Sequence, residues 1–243
     1  MATTPARKLI RVTGNDRVEF LQNLVTNDIM RPGLVYTALL TPQGKLIADF
    51  FVAPDGDGLL IDVIADAAPA LAQRLTMYKL RADVALDWDD RQVAQGTGDA
   101  PGGAFSDPRD PTLGWRAYGD VAAEITDWEA RRVAACVPEL GAELGPDTYI
   151  LEAGFERLNG VDFKKGCYVG QEVTARMKHK TELQKGIVRV RVDGPARPGT
   201  EITSNGKPVG MLHTRAGDEA MAYLRFNRIK DDLSADTSAL TRI

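Results

Sequence analysis

The sequence predicts an α+β fold with a largely antiparallel sheet, followed by a small β-barrel or β-sandwich. Before about residue 182, strand-like segments form hairpins among helical segments, an order that argues against a doubly wound nucleotide-binding fold. From Lys185 onward the chain changes to short alternating segments, "GIVRVRV", "TEITS", "KPVGMLHT" and "EAMAYLRF", separated by turn residues. Short strands at this spacing are typical of a barrel or sandwich of about 60 residues.

Periodicity and turn residues predict the individual elements of the first region. The apolar spacing of "NDRVEFLQNLVTNDI" predicts a helix with Asn15 or Asp16 as its cap. Two strands follow, joined by the tight turn "TPQGK", because Pro42 and Gly44 suit turn geometry. The predicted elements in chain order are strand 8–14, helix 15–29, two strands within 34–54, strand 59–65, helix 66–80, strand 82–88, helix 127–137 and helix 170–180.

Two domains are expected from this change in pattern. The α+β region spans residues 1–182, and the β-domain spans residues 183–243. Between the predicted strand 82–88 and helix 127–137, residues 96–114 are rich in Gly, Pro and Asp, which predicts a long exposed loop. That loop could serve as a linker or as a flexible flap, and the sequence leaves both open.

Composition and charge indicate an ordinary soluble protein. The hydrophobic fraction is 44%, the charged fraction is 26% and the formal net charge is −4, so neither direct nucleic-acid binding nor membrane association is expected. The first residues lack the apolar core of a secretory signal, and no apolar run approaches the length that spans a bilayer. These features predict a cytoplasmic protein.

Cysteine and histidine usage argues against a metal site built by this chain alone. The two cysteines, Cys136 and Cys167, are expected to be free thiols in a reducing compartment. The two histidines, His179 and His213, belong to no HExxH motif, and no CxxC pair is present. No metal ligands are therefore predicted, and any metal would be shared with a partner.

The stretch "DFKKGCYVGQE" (162–172) contains the strongest candidate for a reactive residue, Cys167. If a helix begins near Gly170, its positive end and the nearby Lys164 and Lys165 would stabilise a thiolate. Such a thiol could be a nucleophile, a redox switch or a shared metal ligand. The alternative is a half-buried cysteine in a tight turn that has only a structural role. No P-loop, GxGxxG or GxSxG motif offers competing chemistry.

The segment "KGCYVGQE" (165–172) closely resembles the signature of the YgfZ family of folate-binding proteins. This family is related to the aminomethyltransferase of the glycine cleavage system (GcvT) and to mitochondrial proteins of the CAF17 type. Other segments resemble the family in the same order, so the resemblance covers most of the chain. They are "FLQNLVTND" (20–28), "LTPQGKLIADFFV" (40–52), "YKLRADV" (78–84) and "LEAGFERLNGVDFKKGCYVGQEVTARMKH" (151–179).

The resemblance implies a GcvT-like pseudo-ring of interleaved α+β subdomains closed by a C-terminal antiparallel β-barrel, with tetrahydrofolate bound centrally. It also implies a role in assembling or repairing iron–sulfur clusters, with partners among iron–sulfur proteins or the assembly machinery, notably for tRNA methylthiolases. Cys167 is the hallmark residue of the motif and the expected catalytic residue. The residues expected to bind the folate or shape its loop are Lys165, Gly166, Tyr168, Gly170, Gln171, Glu172, Arg176 and Asp49.

Two alternatives remain beside this interpretation. One is a folate-dependent aminomethyltransferase, and the other is a folate carrier without chemistry. Aminomethyltransferases resemble the segment "RVAACVP" (132–138) but place a pterin-binding glutamate where this chain has Ala134. They also carry paired aspartates where this chain retains Asp49 and has Ala48. Because a pterin needs a carboxylate to pair its N–H groups, transfer chemistry is disfavoured.

Overall fold

A computed structural model describes residues 4–123, 125–179 and 182–243. The described chain combines antiparallel sheets, helices and a closed barrel, so the predicted α+β class with a C-terminal barrel is confirmed. Its helices and strands are β1 (Arg7–Thr13), α1 (Arg17–Gln22), β2 (Val35–Leu40), β3 (Leu46–Asp55), β4 (Gly58–Ile64), α2 (Ala68–Lys79), β5 (Ala85–Asp89), β6 (Val93–Gly96), β7 (Phe105–Ser106), β8 (Trp115–Tyr118), α3 (Trp128–Ala134), α4 (Gln171–His179), β9 (Lys185–Asp193), β10 (Glu201–Ser204), β11 (Lys207–Ala216), β12 (Glu219–Arg225), β13 (Leu233–Ala235) and β14 (Ser238–Arg242).

The first region is organised around a five-stranded antiparallel sheet with the order β2-β3-β4-β1-β5. Both faces of this sheet are buried, and β2 is buried along its whole length. Phe20 of α1 and Leu71 of α2 pack into the core on one face, whereas Trp128 of α3 and Phe155 pack into the core on the other. Burial on both sides explains why "VYTALL" does not alternate between apolar and charged residues.

The C-terminal region is a closed antiparallel barrel with the order β10-β11-β12-β9-β14-β13. Alternate side chains of β9, including Val190 and Val192, point into its core, as the alternating sequence predicts. The barrel docks on the first region through polar contacts: Arg132 donates to Thr214 Oγ1 at 2.7 Å, and Tyr223 donates to Glu152 Oε2 at 2.8 Å. The first barrel strand begins at Lys185, and the division into 1–182 and 183–243 stays a prediction.

The helix predicted over residues 15–29 is much shorter than expected. α1 ends at Gln22, and Val25 instead forms a β-bridge with Leu39. The Asp16 side chain does not cap this helix, because its Oδ2 accepts a hydrogen bond from the backbone N–H of Asp83 at 2.8 Å. After α1, the side chains of Thr26 and Asn27 donate hydrogen bonds to backbone carbonyl oxygens outside this segment. These bonds compete with the backbone hydrogen bonds of a helix.

The Gly-, Pro- and Asp-rich segment 96–114 is only partly the exposed loop that its composition predicts. Asp107 and Arg109 are buried, and the segment adds the short strand β7 to the sheet β6-β8-β7. The prediction was wrong at these two residues because their opposite charges pair inside the fold. Of the helix predicted over 170–180, α4 covers Gln171–His179, and Lys180 lies outside the described residues.

Candidate functional site

The motif around Cys167 forms a loop that leads into α4. Cys167 and Gly166 are exposed, and the helix begins at Gln171, immediately after Gly170, as the sequence predicts. The thiol is therefore open to solvent a few residues before the amino end of a helix. This position leaves Cys167 accessible to another molecule.

Lys165 anchors this loop to the segment that follows α1. Its Nζ donates to the carbonyl oxygens of Gln22, Val25 and Asn27 at 2.7, 2.5 and 3.1 Å. Burial lowers the pKa of Lys165 to about 8. The three hydrogen bonds use the full donor capacity of an ammonium group. The geometry therefore gives Lys165 an anchoring role, whereas the neighbouring Lys164 side chain is exposed.

Lys165→Met is expected to lower the free energy of unfolding by about 2–3 kcal/mol, because backbone carbonyls lose a charged donor. Lys164→Met is the matched control, and we expect it to change that free energy by less than about 0.5 kcal/mol. Urea denaturation of both variants measures the difference. Equal stability of the two variants would show that Lys165 does not anchor the loop.

Thr26 and Asn27 hold the segment that precedes the motif. Asn27 Nδ2 donates to the carbonyl oxygens of Tyr36 and Asn159 at 2.8 and 2.6 Å, and Thr26 Oγ1 donates to Gly160 O at 2.7 Å. Both side chains are buried. Sequence reasoning placed these residues in a helix and missed this role. The signal was present, because Thr and Asn favour such local and loop-to-strand hydrogen bonds over helix interiors.

Gly170 brings α4 into close contact with the tip of the β2–β3 hairpin. Its φ is +81°, and a Cβ placed there would lie 2.6 Å from Thr41 O and 2.9 Å from Leu40 Cβ. From the other side, a Cβ on Gly44, whose φ is +75°, would lie 2.8 Å from Val173 Cβ. Only glycine fits such contacts. The "TPQGK" turn, which the sequence suggested as a simple hairpin turn, thus also supports the motif.

The remaining motif residues divide between the core and the surface. Tyr168 is buried, its ring centroid lies 5.2 Å from Lys165 Nζ, and burial raises the pKa of Tyr168 to about 12. Gln171 Nε2 reaches the carbonyl oxygen of Gly166 at 3.5 Å. Glu172 and Arg176 are exposed on α4. The structure therefore places Tyr168 in the core, whereas Cys167, Glu172 and Arg176 face solvent.

Asp49 lies on β3, in a separate buried network of charges. Its Oδ2 accepts a hydrogen bond from Tyr36 Oη at 3.0 Å, and within the described ranges its buried Oδ1 has no partner. Burial raises the pKa of Asp49, and the charges of Arg7 and Arg109 act against that rise. No residue of the motif 165–172 is joined to this carboxylate by a hydrogen bond or ion pair in the part of the chain that the structure describes.

Arg109 fills the aromatic cage next to Asp49. Its guanidinium carbon lies 5.4, 4.7 and 5.7 Å from the ring centroids of Tyr36, Phe51 and Trp128. Asp107 accepts two hydrogen bonds from it, at 3.0 and 2.7 Å. The space beside these three rings is thus occupied by a side chain of the protein itself.

A cleft of about 370 Å³ lies beside the end of α3. Ala134, Ala135 and Cys136 form one wall of this cleft, and Ile187 and Val188 of the barrel form another. Cys136 is partly buried and has a φ of +51°. Burial raises the pKa of its thiol, against the lowering influence of nearby arginines.

Comparison with known proteins defines the class to which this architecture belongs. The crystal structure of glycine cleavage system aminomethyltransferase T from Bartonella henselae superposes with a TM-score of 0.76, covering 98% of this chain and 82% of that one at 14% identity. The two proteins therefore share a fold. The sequence profile of the CAF17 C-terminal β-barrel domain matches residues 184–243.

Sequence relatives indicate the family within this class of fold. The iron–sulfur cluster assembly factor IBA57 homologue of Neurospora crassa is 34% identical, with coverage of 77% of this chain and 51% of that protein. Human IBA57 is 28% identical, with coverage of 93% of this chain and 78% of the human protein. The chain spans about half the length of the fungal relatives it matches. The expected family is confirmed: the chain is a YgfZ- and CAF17-type protein on the GcvT-like fold, and its homologues include IBA57 proteins.

The same comparisons contradict the predicted cytoplasmic location. The Neurospora, human and mouse relatives are named as mitochondrial proteins. The prediction was based on the absence of a secretory signal, which does not distinguish the cytoplasm from an organelle. Among the residues that the structure describes, no helix has the length and apolar character needed to span a bilayer.

Proposed function

We propose that this protein is an accessory factor in iron–sulfur cluster assembly or repair and that Cys167 is a transient ligand to a cluster. The observation that carries the proposal is the exposed thiol of Cys167 on a loop that Lys165 and Gly170 anchor to the fold. The names of its relatives support the same process. A thiolate is a soft ligand that suits iron–sulfur clusters.

The cluster is the cargo in this proposal, and a partner supplies most of its ligands. Iron–sulfur clusters are usually held by four protein ligands. Within the described ranges, no group of three or more His, Cys, Asp or Glu side chains is arranged to bind a metal. One exposed thiol can therefore complete a cluster that a partner protein holds, and it can leave again by ligand exchange. The resemblance suggests tRNA methylthiolases among the recipients.

Tetrahydrofolate stays a prediction from the resemblance, and neither Asp49 nor Ala134 offers a pterin an open carboxylate. The orphaned Asp49 Oδ1 could accept a hydrogen bond, but the aromatic cage beside it is filled by Arg109. In the cleft beside α3, the residue that the resemblance compares with the pterin-binding glutamate is Ala134, and arginines line the walls. A pterin presents N–H donors, and guanidinium groups cannot accept hydrogen bonds. No step of the proposed function therefore uses folate.

The alternative of aminomethyl transfer is disfavoured at the two positions that the resemblance compares with carboxylates of aminomethyltransferases. Ala134 is exposed at the cleft, and Ala48 is buried on β3. Neither position provides an acceptor for a pterin. A folate carrier without chemistry meets the same difficulty, so the cluster-related role is the one that the site supports best.

Cys167→Ser is expected to abolish the activity of this protein in a strain that lacks its gene, because a hydroxyl is a poor cluster ligand. The measurement is the fraction of tRNA that carries the methylthio modification. Cys136→Ser is the matched control, since Cys136 is partly buried and lies outside the motif. We expect this control to restore the modification.

Thermal unfolding of both variants should match that of the unaltered protein. Full restoration by a folded Cys167→Ser protein would contradict the role of this thiol. Loss of the modification with both variants would show that the assay reports something other than the exposed cysteine.

A further inference from the structure

The cleft beside α3 is lined by three arginines. Arg157 follows the turn after Phe155, Arg189 belongs to β9, and Arg242 lies at the end of β14. These positions come from distant parts of the chain, and only the docking of the barrel on the first region brings them together. The function proposed for Cys167 uses none of them.

Two of these guanidinium groups are held on consecutive backbone carbonyls. Arg157 donates to Ala135 O at 3.0 Å and to Cys136 O at 2.5 Å, and Arg189 donates to Ala134 O at 2.6 Å. Because their acceptors are neighbours in the chain, the two cations are fixed close to each other. Each guanidinium has five N–H donors, so further donors remain for a ligand.

Few carboxylates neutralise this charge. Glu219 Oε2 lies 3.6 Å from Arg189, and in the described ranges neither Arg157 nor Arg242 has a carboxylate oxygen within 4.0 Å. Asp110 also lines the cleft, but its Oδ1 accepts hydrogen bonds from the backbone N–H and hydroxyl of Thr112. The three guanidinium groups outnumber the carboxylates at the cleft, so the cleft attracts anions, and solvent screens this attraction because Arg157 and Arg242 are exposed.

We propose that this cleft binds a small anion with at least two carboxylate or phosphate groups. Forked guanidinium groups match both kinds of oxyanion, and a volume of about 370 Å³ suits a metabolite-sized ligand. Ile187 and Val188 offer an apolar wall for the carbon part of such a ligand. The Cys136 thiol adds no competing negative charge, because burial raises its pKa and keeps it neutral near pH 7.

Protection of the Cys136 thiol from alkylation by iodoacetamide tests the proposal, with the reaction run at about pH 9 so that part of this thiol is ionised. The Cys167→Ser background leaves Cys136 as the one cysteine of the chain. Citrate and inorganic pyrophosphate are the probes, and the stronger protector identifies carboxylate or phosphate as the preferred group. We expect protection that saturates below about 10 mM and weakens as the salt concentration rises.

The variants Arg157→Gln and Arg189→Gln are each expected to weaken protection by about tenfold, since each removes a charged hydrogen bond. Arg191→Gln removes the same charge from an exposed position of β9 outside the cleft, and we expect protection within about twofold of the parent.

The salt dependence is measured with all arginines intact, so the test stands even if a variant fails to fold. Absence of protection by both anions would overturn the proposal. It would also be overturned by protection that is insensitive to salt, or by an equal effect of Arg191→Gln. Stronger protection by a tetrahydropterin that lacks the glutamate tail than by either anion would also overturn the proposal, because it would show that the cleft accepts a pterin ring and not an anion.

Discussion

Replacing Arg109 by methionine is expected to lower the free energy of unfolding by about 3–5 kcal/mol, the usual cost of removing one partner of a buried ion pair. Asp107, whose carboxylate is 3% exposed, would lose a partner that donates two hydrogen bonds to it. The rings of Tyr36, Phe51 and Trp128 would lose the cation between them. Urea denaturation followed by fluorescence measures the change.

Arg91→Met is the matched control for this prediction. Arg91 also pairs with two aspartates, Asp55 and Asp89, but its side chain is 35% exposed and solvent screens the pairs. We expect a loss of about 1 kcal/mol or less. If Arg109→Met is no more destabilising than Arg91→Met, the caged arginine is not a structural element. The space that it fills would then be open to a ligand after a modest rearrangement.

Gly170→Ala is expected to lower the free energy of unfolding by about 2–4 kcal/mol and to abolish the function that depends on Cys167. The added methyl would meet Thr41 O at 2.6 Å, and alanine would have to adopt a φ of +81°. The hairpin tip and the start of α4 must then move apart. The loop that presents Cys167 would lose one of its two anchors.

Gly166→Ala separates this effect from a general requirement for glycine in the motif. A Cβ on Gly166 would have no atom within 4 Å, and the residue is exposed. We expect a stability change below about 0.5 kcal/mol and unchanged tRNA modification in the same strain. Comparable losses from both alanine variants would contradict the contact between Gly170 and the hairpin.

The sequence correctly predicted the elements in which apolar residues recur with the period of the buried positions. In the barrel strand β9, Val190 and Val192 point inside and alternate with arginines that point outside. This alternation predicts a strand from the sequence alone. The helix after β1 was extended too far, because Val25 has the spacing of a helix but pairs with Leu39 in β2. Because Leu39 is far from Val25 along the chain, the residues around Val25 do not indicate that it pairs with a strand.

The sequence predicted those parts of the candidate site that are contiguous in the chain and missed those that depend on distant contacts. The motif around Cys167 and the start of its helix are contiguous in sequence, and so they could be named in advance. The three carbonyl acceptors of Lys165 lie about 140 residues away, as do the contacts of Asn27 with the motif segment. Asp49 was grouped with the motif by resemblance, whereas its hydrogen bond joins it to Tyr36.

The sequence by itself determined the α+β class, the change to a barrel near Lys185, the cysteine motif and the family to which the chain belongs. These features are carried by neighbouring residues, through periodicity, turn chemistry and a contiguous signature. Only the tertiary structure decided that Lys165 is an anchor, that Arg109 fills its own aromatic cage and that three arginines meet beside Cys136. Each of these depends on contacts between segments far apart in the chain, where charge and packing are satisfied by partners that no local pattern specifies.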